Sequence, residues 1–134
     1  MIEEEIISKD IQEIVNDFKD IIPSLENKSI LITGGKGFLG TYFLKTLLEI
    51  NQLLTNPMQI FVIDNLITSK DNDAQYPNVR FIESDISKKI ELDESINYII
   101  HSASIASPPM YRKFPLKTID VNYQGTRNLL DFAR

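Results

Sequence analysis

The sequence predicts an α/β fold, the first half of a doubly wound parallel sheet. Short apolar segments alternate along the chain with segments whose apolar residues recur at helical spacing. Wholly apolar strands of this kind are typical of parallel sheets that helices cover on both faces. The first apolar segment runs directly into a cluster of glycines that opens a helix. No internal repeat interrupts this alternation, so the pattern indicates one such sheet.

Composition sets the broad class of the protein. The 134 residues are 43% hydrophobic and 25% charged, which fits one soluble domain with a real core. A net charge of −5 argues against bulk electrostatic binding of nucleic acid. No apolar run approaches the roughly 20 residues of a membrane span, and the acidic start differs from a secretory signal. The absence of cysteine and the single histidine exclude disulfides and thiolate or His-rich metal sites. We expect a cytoplasmic protein.

The first predicted element is an amphipathic helix over Ser8–Ile22. Its apolar residues fall on one face at helical spacing: Ile7, Ile11, Ile14, Val15, Phe18 and Ile22. Ser8 is the expected N-cap, and Pro23 is expected to help end the helix. The stripe is interpreted as a packing face, with recruitment of a partner as the alternative. We expect residues 1–27 to form this helix and a linker, and residues 28–134 to form the sheet domain.

Four strands and two further helices are predicted after the linker Pro23–Lys28. The strands are expected at Ser29–Thr33, Gln59–Asp64, Val79–Glu83 and Asn97–His101. One helix is expected at Phe38–Ile50, and a last helix runs from near Thr118 to the end of the chain. Parallel strands joined by helices imply right-handed crossovers. A fourth strand without a further neighbour and a last helix without a glycine cap lead us to expect the N-terminal part of a longer protein.

Glycines at 34, 37 and 40 follow the first strand with the spacing G-x-x-G-x-x-G. A tight strand-to-helix turn needs positive φ or close backbone approach, and glycine permits both at low cost. The helix behind the turn offers free N–H groups and a partial positive charge to a pyrophosphate. A flexible turn is the alternative interpretation of the same glycines.

Asp64 ends the second strand, 24 residues after Gly40. A carboxylate at this place accepts hydrogen bonds from the adenosine ribose hydroxyls of a dinucleotide. A helix-capping or turn acid is the alternative. Together, the glycines and Asp64 predict dinucleotide binding. NAD is expected in preference to NADP, because a carboxylate repels a 2′-phosphate.

These motifs resemble those of the extended short-chain dehydrogenase/reductase family, the NAD-dependent nucleotide-sugar epimerases and dehydratases. ITGGKGFLG at 32–40 is similar to the signature T-G-x-x-G-F-x-G, VIDNL at 62–66 to the second-strand ending, and SDI at 84–86 to the acid–apolar pair beside adenine. The segment 101–130 most resembles the subgroup that contains UDP-glucuronate decarboxylase. It shares H-x-A-S-x-A-S-P-P-x-Y, P-x-K-T and N-x-x-G-T-x-N-L-L, with Ile105 where that subgroup has proline. The resemblance covers residues 30–134.

The resemblance implies a role for each matched residue. The cofactor side would comprise a pyrophosphate loop at Gly34, Gly37, Phe38, Leu39 and Gly40, ribose contacts at Asp64 and Asn65, adenine neighbours at Asp85 and Ile86, Ala103 and Ser104 beyond the fourth strand, Thr118 nearby, and Asn122 behind the active site. Ser107, Tyr111 and Lys117 would face the sugar nucleotide. From the residues alone, the alternatives are a rigid loop at 107–109, a solvated Lys117, a solvent-facing Asn122 and a core His101. Gly125 is expected at a point of close helix packing.

The resemblance implies an NAD-dependent enzyme, a homodimer as a whole, that oxidises a nucleotide sugar at C4 by hydride transfer. The family's base is the tyrosine of a Y-x-x-x-K motif. None of the five tyrosines here is followed by lysine four residues later. We therefore expect the catalytic pair beyond residue 134 and no turnover by this chain alone. The alternatives are a 4-epimerase or 4,6-dehydratase of the same family, and a non-catalytic dinucleotide-binding or assembly module.

Overall fold

A computed structural model describes residues 2–68 and 75–134. In chain order its elements are α1 (Ile2–Asp17), a 3-10 turn (Ile22–Leu25), β1 (Ser29–Thr33), α2 (Phe38–Asn51), β2 (Gln59–Asp64), β3 (Val79–Glu83), β4 (Tyr98–His101), α3 (Pro108–Lys113), α4 (Pro115–Asp120), a π-helical turn (Val121–Gly125) and α5 (Thr126–Phe132). The strands form a parallel sheet in the order β3-β2-β1-β4. The predicted α/β fold is confirmed, and each strand lies within one residue of its predicted bounds.

The sheet is the middle of three layers. Successive side chains of a strand point to opposite faces, so wholly apolar strands serve two cores. The core under α1 and α2 comprises Ile11, Val15, Ile22, Ile30, Ile32, Leu44, Leu47, Ile50, Met58, Ile60 and Val62. The core under α5 comprises Leu31, Phe61, Ile63, Ile86, Val121 and Leu129. In register, Thr33 pairs with both Ile63 and His101, so the carboxyl ends of three strands meet at one edge.

The N-terminal helix lies nearer the start of the chain than predicted. α1 runs over Ile2–Asp17, so the prediction of Ser8 as the N-cap is wrong and Ser8 lies inside the helix. Acidic residues in the first turn, such as Glu4 and Glu5, favour this earlier start because the helix dipole stabilises carboxylates there. The predicted last turn of this helix, near Ile22, is instead part of the separate 3-10 turn, which also contains Pro23. Most of the apolar stripe is a packing face, as interpreted, since α1 packs on α2, whereas Phe18 is half exposed.

The C-terminal region holds more helix than predicted. The short helices α3 and α4 each begin at a proline, where the missing N–H costs nothing. The prediction of one helix from near Thr118 is wrong at its start: α4 begins at Pro115 and continues through the π-helical turn into α5. Across the described ranges, 2–68 and 75–134, no helix combines the length and the apolar character that crossing a membrane would need.

Candidate functional site

A cleft opens at the carboxyl ends of β1, β2 and β4. Its described lining consists of Gly34, Gly37, Ile63, Asp64, Asn65, Ile67, Thr68, Ser84, Ile86, Ser102, Ala103, Ser104, Ile105 and Val121. β1 lies between β2 and β4, so the connections on the two sides of β1 run in opposite directions along the sheet. Ligands of open α/β sheets bind at such a switch point. Seven of the predicted cofactor residues meet here: Gly34, Gly37, Asp64, Asn65, Ile86, Ala103 and Ser104.

The glycine loop is a tightly packed turn. Gly34 has φ +68°, and a Cβ on it would lie 2.6 Å from the Ala103 Cα. A Cβ on Gly40 would lie 2.1 Å from the Gly34 carbonyl oxygen. A Cβ on Gly37, by contrast, would meet only that same oxygen, at 3.2 Å. Gly34 and Gly40 are therefore required by the turn itself, whereas Gly37 keeps the cleft side of the loop open.

The first turn of α2 presents backbone rather than side chains to the cleft. Gly37 is the N-cap, and the first N–H groups of any helix have no partner within the helix. The side chains of Phe38 and Leu39 are 77% and 60% exposed and line a different surface. We call this surface the apolar groove; it lies between α1 and α2 and includes Ile14, Phe18, Ile21, Phe38, Leu39, Phe43 and Ile100. Phe38 and Leu39 therefore have only their N–H groups to offer an anion in the cleft.

Asp64 is both a turn acid and a cleft residue. One carboxylate oxygen accepts the Lys36 N–H at 2.9 Å, and the other accepts the Leu66 N–H at 2.9 Å. Asn65 Oδ1 accepts the Ile67 N–H at 3.2 Å, and these bonds hold Leu66 at φ +58°. Such strain in a bulky residue is typical of functional loops. Among the described lining residues Asp64 is the one ionisable side chain.

Lys36 is a neighbour of Asp64 that the sequence analysis did not single out. Its ammonium lies 4.9 Å from the centre of the Phe81 ring. Lys36, Asp64 and Phe81 also line a small cavity beside the main cleft. A cation and a carboxylate therefore lie close together at the edge of the cleft.

The N-x-x-G-T-x-N motif holds the Ile86 wall of the cleft. Asn128 Nδ2 donates to the carbonyl oxygens of Ile86 and Lys88, each at 2.8 Å. A Cβ on Gly125 would lie 2.7 Å from Ile86 Cδ1, which confirms the close packing expected at that glycine. Ile86 itself is buried and lines the cleft. The helix thus fixes one wall of the site through backbone and packing contacts.

The remaining predicted residues do not line this cleft. Asp85 Oδ1 accepts the Ser87 N–H at 3.0 Å and its hydroxyl at 2.7 Å, so it closes a turn. The Thr118 hydroxyl donates to the Phe114 carbonyl, and Asn122 Nδ2 donates to the Thr118 carbonyl. Both bonds lie within the helix. The roles suggested for Asp85, Thr118 and Asn122 stay predictions.

The predicted sugar-side residues lie on α3 and α4. Ser107 is the N-cap of α3, and Tyr111 is partly exposed on that helix. The Lys117 ammonium lies 5.3 Å from the centre of the Phe114 ring, and the Lys113 ammonium lies 5.1 Å from the same ring. Ser107, Tyr111 and Lys117 are outside the described lining of the cleft, and their roles also stay predictions.

Sequence reasoning missed the apolar wall of the cleft and a cluster of two threonines and a histidine beside it. Ile105 and Val121 are buried and line the cleft. The interpretation of His101 as a core residue is wrong, because the residue is exposed at the end of β4. Thr33 Oγ1 lies 2.8 Å from its Nδ1 and Thr126 Oγ1 3.0 Å from its Nε2. Partial burial lowers the pKa of His101, because desolvation disfavours the imidazolium. No local pattern links Thr33 to Thr126, since sheet pairing brings Thr33 to His101 and the position of α5 brings Thr126 to the same ring.

Sequence comparison relates the chain to one group of enzymes. The model of the NAD dependent epimerase/dehydratase family matches residues 30–134. UDP-glucuronic acid decarboxylase 5 of Arabidopsis thaliana is 35% identical over 112 residues, which cover 81% of this chain and 31% of that protein. The chain spans about a quarter to a third of the length of the curated relatives that it matches.

Solved structures give the same relationship. An epimerase from Methanothermobacter thermautotrophicus matches with a TM-score of 0.69 and 25% identity, over 85% of this chain and 34% of that protein. A dTDP-glucose 4,6-dehydratase from Streptomyces venezuelae, solved with NAD bound, matches with a TM-score of 0.60 and 25% identity, over 77% of this chain and 34% of that one.

Proposed function

This chain belongs to the NAD dependent epimerase/dehydratase family, and from that premise we propose that its cleft binds NAD. The observation that carries the proposal is the placement of the glycine loop and Asp64 in one cleft at the carboxyl ends of parallel strands. A loop closed by Gly34 and Gly40, and open at Gly37, leaves backbone N–H groups accessible to a pyrophosphate. The solved dehydratase with NAD bound supports the same assignment.

Each part of a dinucleotide has a matching group in the cleft. The N–H groups at the start of α2 would hold the pyrophosphate, and Asp64 and Asn65 the adenosine ribose. The Asp64 carboxylate lines the cleft and is held in place by the N–H groups of Lys36 and Leu66. Ile86 would pack on the adenine, while Ala103 and Ser104 would line the rest of the cofactor. Residues 28–134 are the proposed NAD-binding region, with α1 and its linker before it.

We assign binding and orientation, rather than proton transfer, to these 134 residues. Asp64, the one ionisable group among the described cleft residues, is engaged by two N–H donors. The chain contains no Y-x-x-x-K motif. Bound NAD supplies the hydride acceptor for oxidation of a sugar carbon. The residues of this chain would exclude water at Ile86, Ile105 and Val121 and fix the cofactor's position.

The proposed substrate is a UDP-sugar, with decarboxylation of UDP-glucuronate as the reaction and 4-epimerisation or 4,6-dehydration as the alternative. The similarity to UDP-glucuronic acid decarboxylases supports the first. The epimerase and dehydratase structures keep the second open. Incubating the full-length protein with UDP-glucuronate, UDP-glucose and dTDP-glucose separates them, because only the first yields carbon dioxide. The absence of any product, with NAD still bound, would favour a non-catalytic dinucleotide-binding module.

Replacing Lys117 with alanine is expected to weaken binding or turnover of UDP-glucuronate by roughly 10- to 150-fold. The reason is that a charge-assisted hydrogen bond to a carboxylate or phosphate contributes about 1.5–3 kcal/mol. NAD affinity should hardly change, since Lys117 lies outside the cleft. Steady-state kinetics on the full-length protein measure the effect.

Lys113→Ala is the matched control, because its ammonium lies over the same Phe114 ring as that of Lys117. It removes the same charge from the same surface. If both variants lose activity equally, the effect is general electrostatics and the assignment of Lys117 fails. An unaffected Lys117→Ala enzyme would contradict it directly.

A further inference from the structure

A continuous chain of hydrogen bonds runs beside the cleft and passes through the exposed ring of His101. The Ala103 nitrogen lies 3.4 Å from Thr33 Oγ1, which lies 2.8 Å from His101 Nδ1. On the other side of the ring, His101 Nε2 lies 3.0 Å from Thr126 Oγ1, which lies 2.6 Å from the Asn122 carbonyl oxygen. The chain therefore connects the segment after β4 to the π-helical turn.

The direction of these bonds fixes the tautomer of His101. The Asn122 carbonyl oxygen has no proton, so the Thr126 hydroxyl must donate to it. Thr126 then accepts from His101, which places the imidazole proton on Nε2. Nδ1 is left as an acceptor, and the Thr33 hydroxyl donates to it while accepting the Ala103 N–H. A neutral His101 ring with one N–H therefore gives a hydrogen-bond partner to every donor and acceptor in this hydrogen-bond chain.

One end of this hydrogen-bond chain lines the cleft, and the other end is next in sequence to a lining residue. Ala103 lines the cleft and packs so closely on Gly34 that a Cβ there would lie 2.6 Å from the Ala103 Cα. The π-helical turn supplies Val121 to the opposite wall. π-Helical turns within α-helices occur often at functional sites. His101 and Thr126 are absent from the described lining, so any effect they have on a ligand acts through these neighbours.

We propose that His101 is a positioning residue that couples dinucleotide binding to the π-helical turn by holding Ala103 and Asn122 in one hydrogen-bond chain. The proposal rests on the NAD binding proposed above. In this proposal, the Nε2–H tautomer holds Ala103 and the π-helical turn at a fixed distance from one another. A protonated ring would turn an N–H toward Thr33, whose buried hydroxyl would lose its acceptor.

His101 is the group whose protonation would change this hydrogen-bond chain, so the charged groups on the neighbouring elements matter. β1 carries no ionisable side chain, the π-helical turn carries only Tyr123, and α5 carries Arg127 and Asp131, which pair with each other at 3.9 Å. Burial lowers the pKa of His101, so the neutral ring predominates at neutral pH. If NAD prefers the neutral ring, its affinity is full above this pKa and falls as the pH drops through it. By linkage, NAD must then lower the pKa of His101 further.

His101 is the sole histidine of the chain, so one ring gives the whole histidine signal in a long-range ¹H–¹⁵N spectrum. We expect the Nε2–H tautomer in the free protein, and a shift of the ring signals with a lower pKa when NAD is added. A ring protonated on Nδ1 would overturn the proposal. If NAD binds but the ring signals and the pKa of His101 do not change, the proposed coupling between NAD binding and His101 is overturned, while the proposed NAD binding stands. No binding by the unaltered protein would overturn the proposed function as well.

Thr126→Val removes the hydroxyl and keeps the shape of the side chain. We expect it to weaken NAD binding roughly 3- to 10-fold and to flatten the pH profile of NAD affinity. Thr46→Val makes the same change on α2, at the apolar groove, and should leave both unchanged. A Thr126→Val protein that binds NAD as the unaltered protein does, with the same pH profile, would overturn the proposal. His101→Gln retains an N–H donor toward Thr126 and should keep more affinity than His101→Phe.

Discussion

Gly40→Ala is expected to lower the free energy of unfolding by about 3 kcal/mol, the upper part of the range for overpacked sites. A Cβ at this position would lie 2.1 Å from the Gly34 carbonyl oxygen and 2.6 Å from the Gly35 Cα. Both atoms belong to backbone in a tight turn, so neither moves without opening the loop. Since domains of this size are stable by 5–15 kcal/mol, the loss should be plain in a denaturant melt.

Gly37→Ala is the matched control for this prediction. Its added Cβ would meet one atom at 3.2 Å, which a shift of a few tenths of an ångström relieves. We expect its free energy of unfolding to stay within about 1 kcal/mol of the unaltered protein, the usual range for a glycine at a helix N-cap. Equal losses in the two variants would show that the clash at Gly40 does not govern the stability of the turn.

Asp64→Asn is expected to remove most of the preference for NAD over NADP. One pair of unit charges at about 4 Å and an effective dielectric near 20 interacts with about 4 kcal/mol, so the unscreened limit is roughly 10³-fold. The substitution also disturbs the bonds from Lys36 and Leu66, which weakens both cofactors alike. The ratio of the two dissociation constants, measured by calorimetry, is therefore the informative quantity.

Asp131→Asn removes the same charge from an exposed site on α5 and should leave the cofactor ratio unchanged. Lys36 adds a second control, because it shares a cavity with Asp64. If its ammonium attracts a 2′-phosphate once Asp64 is neutral, Lys36→Met should cancel the gain in NADP binding. An unaltered protein that binds NAD and NADP equally would remove Asp64 from its assigned role.

Local patterns were sufficient to predict the sheet and the glycine loop. β1 and β2 are buried on both faces and therefore read as unbroken apolar runs, and the turn after β1 needs glycine at set positions. The bounds of α1 were less accessible, because serine is tolerated inside a helix as well as at its cap. α3 was missed because the paired prolines suggest a loop as readily as the first turn of a helix.

Only the site residues that belong to local sequence motifs could be predicted. Asp64, Ile86 and Ala103 belong to continuous motifs next to strand ends, and all three line the cleft. The bond from Thr33 to His101 depends on the pairing of β1 with β4, which are 68 positions apart. The side chains of Asn122 and Asn128 bond to the backbone carbonyls of Thr118 and Ile86, which the sequence motif that contains them did not predict. Such contacts come from tertiary structure, which no local pattern contains.

Calorimetric titration of the protein with NAD, repeated on the Gly37→Ala variant, tests the central claim most directly. A Cβ at Gly37 leaves the fold nearly undisturbed but occupies the open side of the loop where the pyrophosphate would lie. The account predicts saturable binding at one site, and at least tenfold weaker binding by a variant of unchanged stability. No binding by the unaltered protein, or equal binding by both, would contradict it.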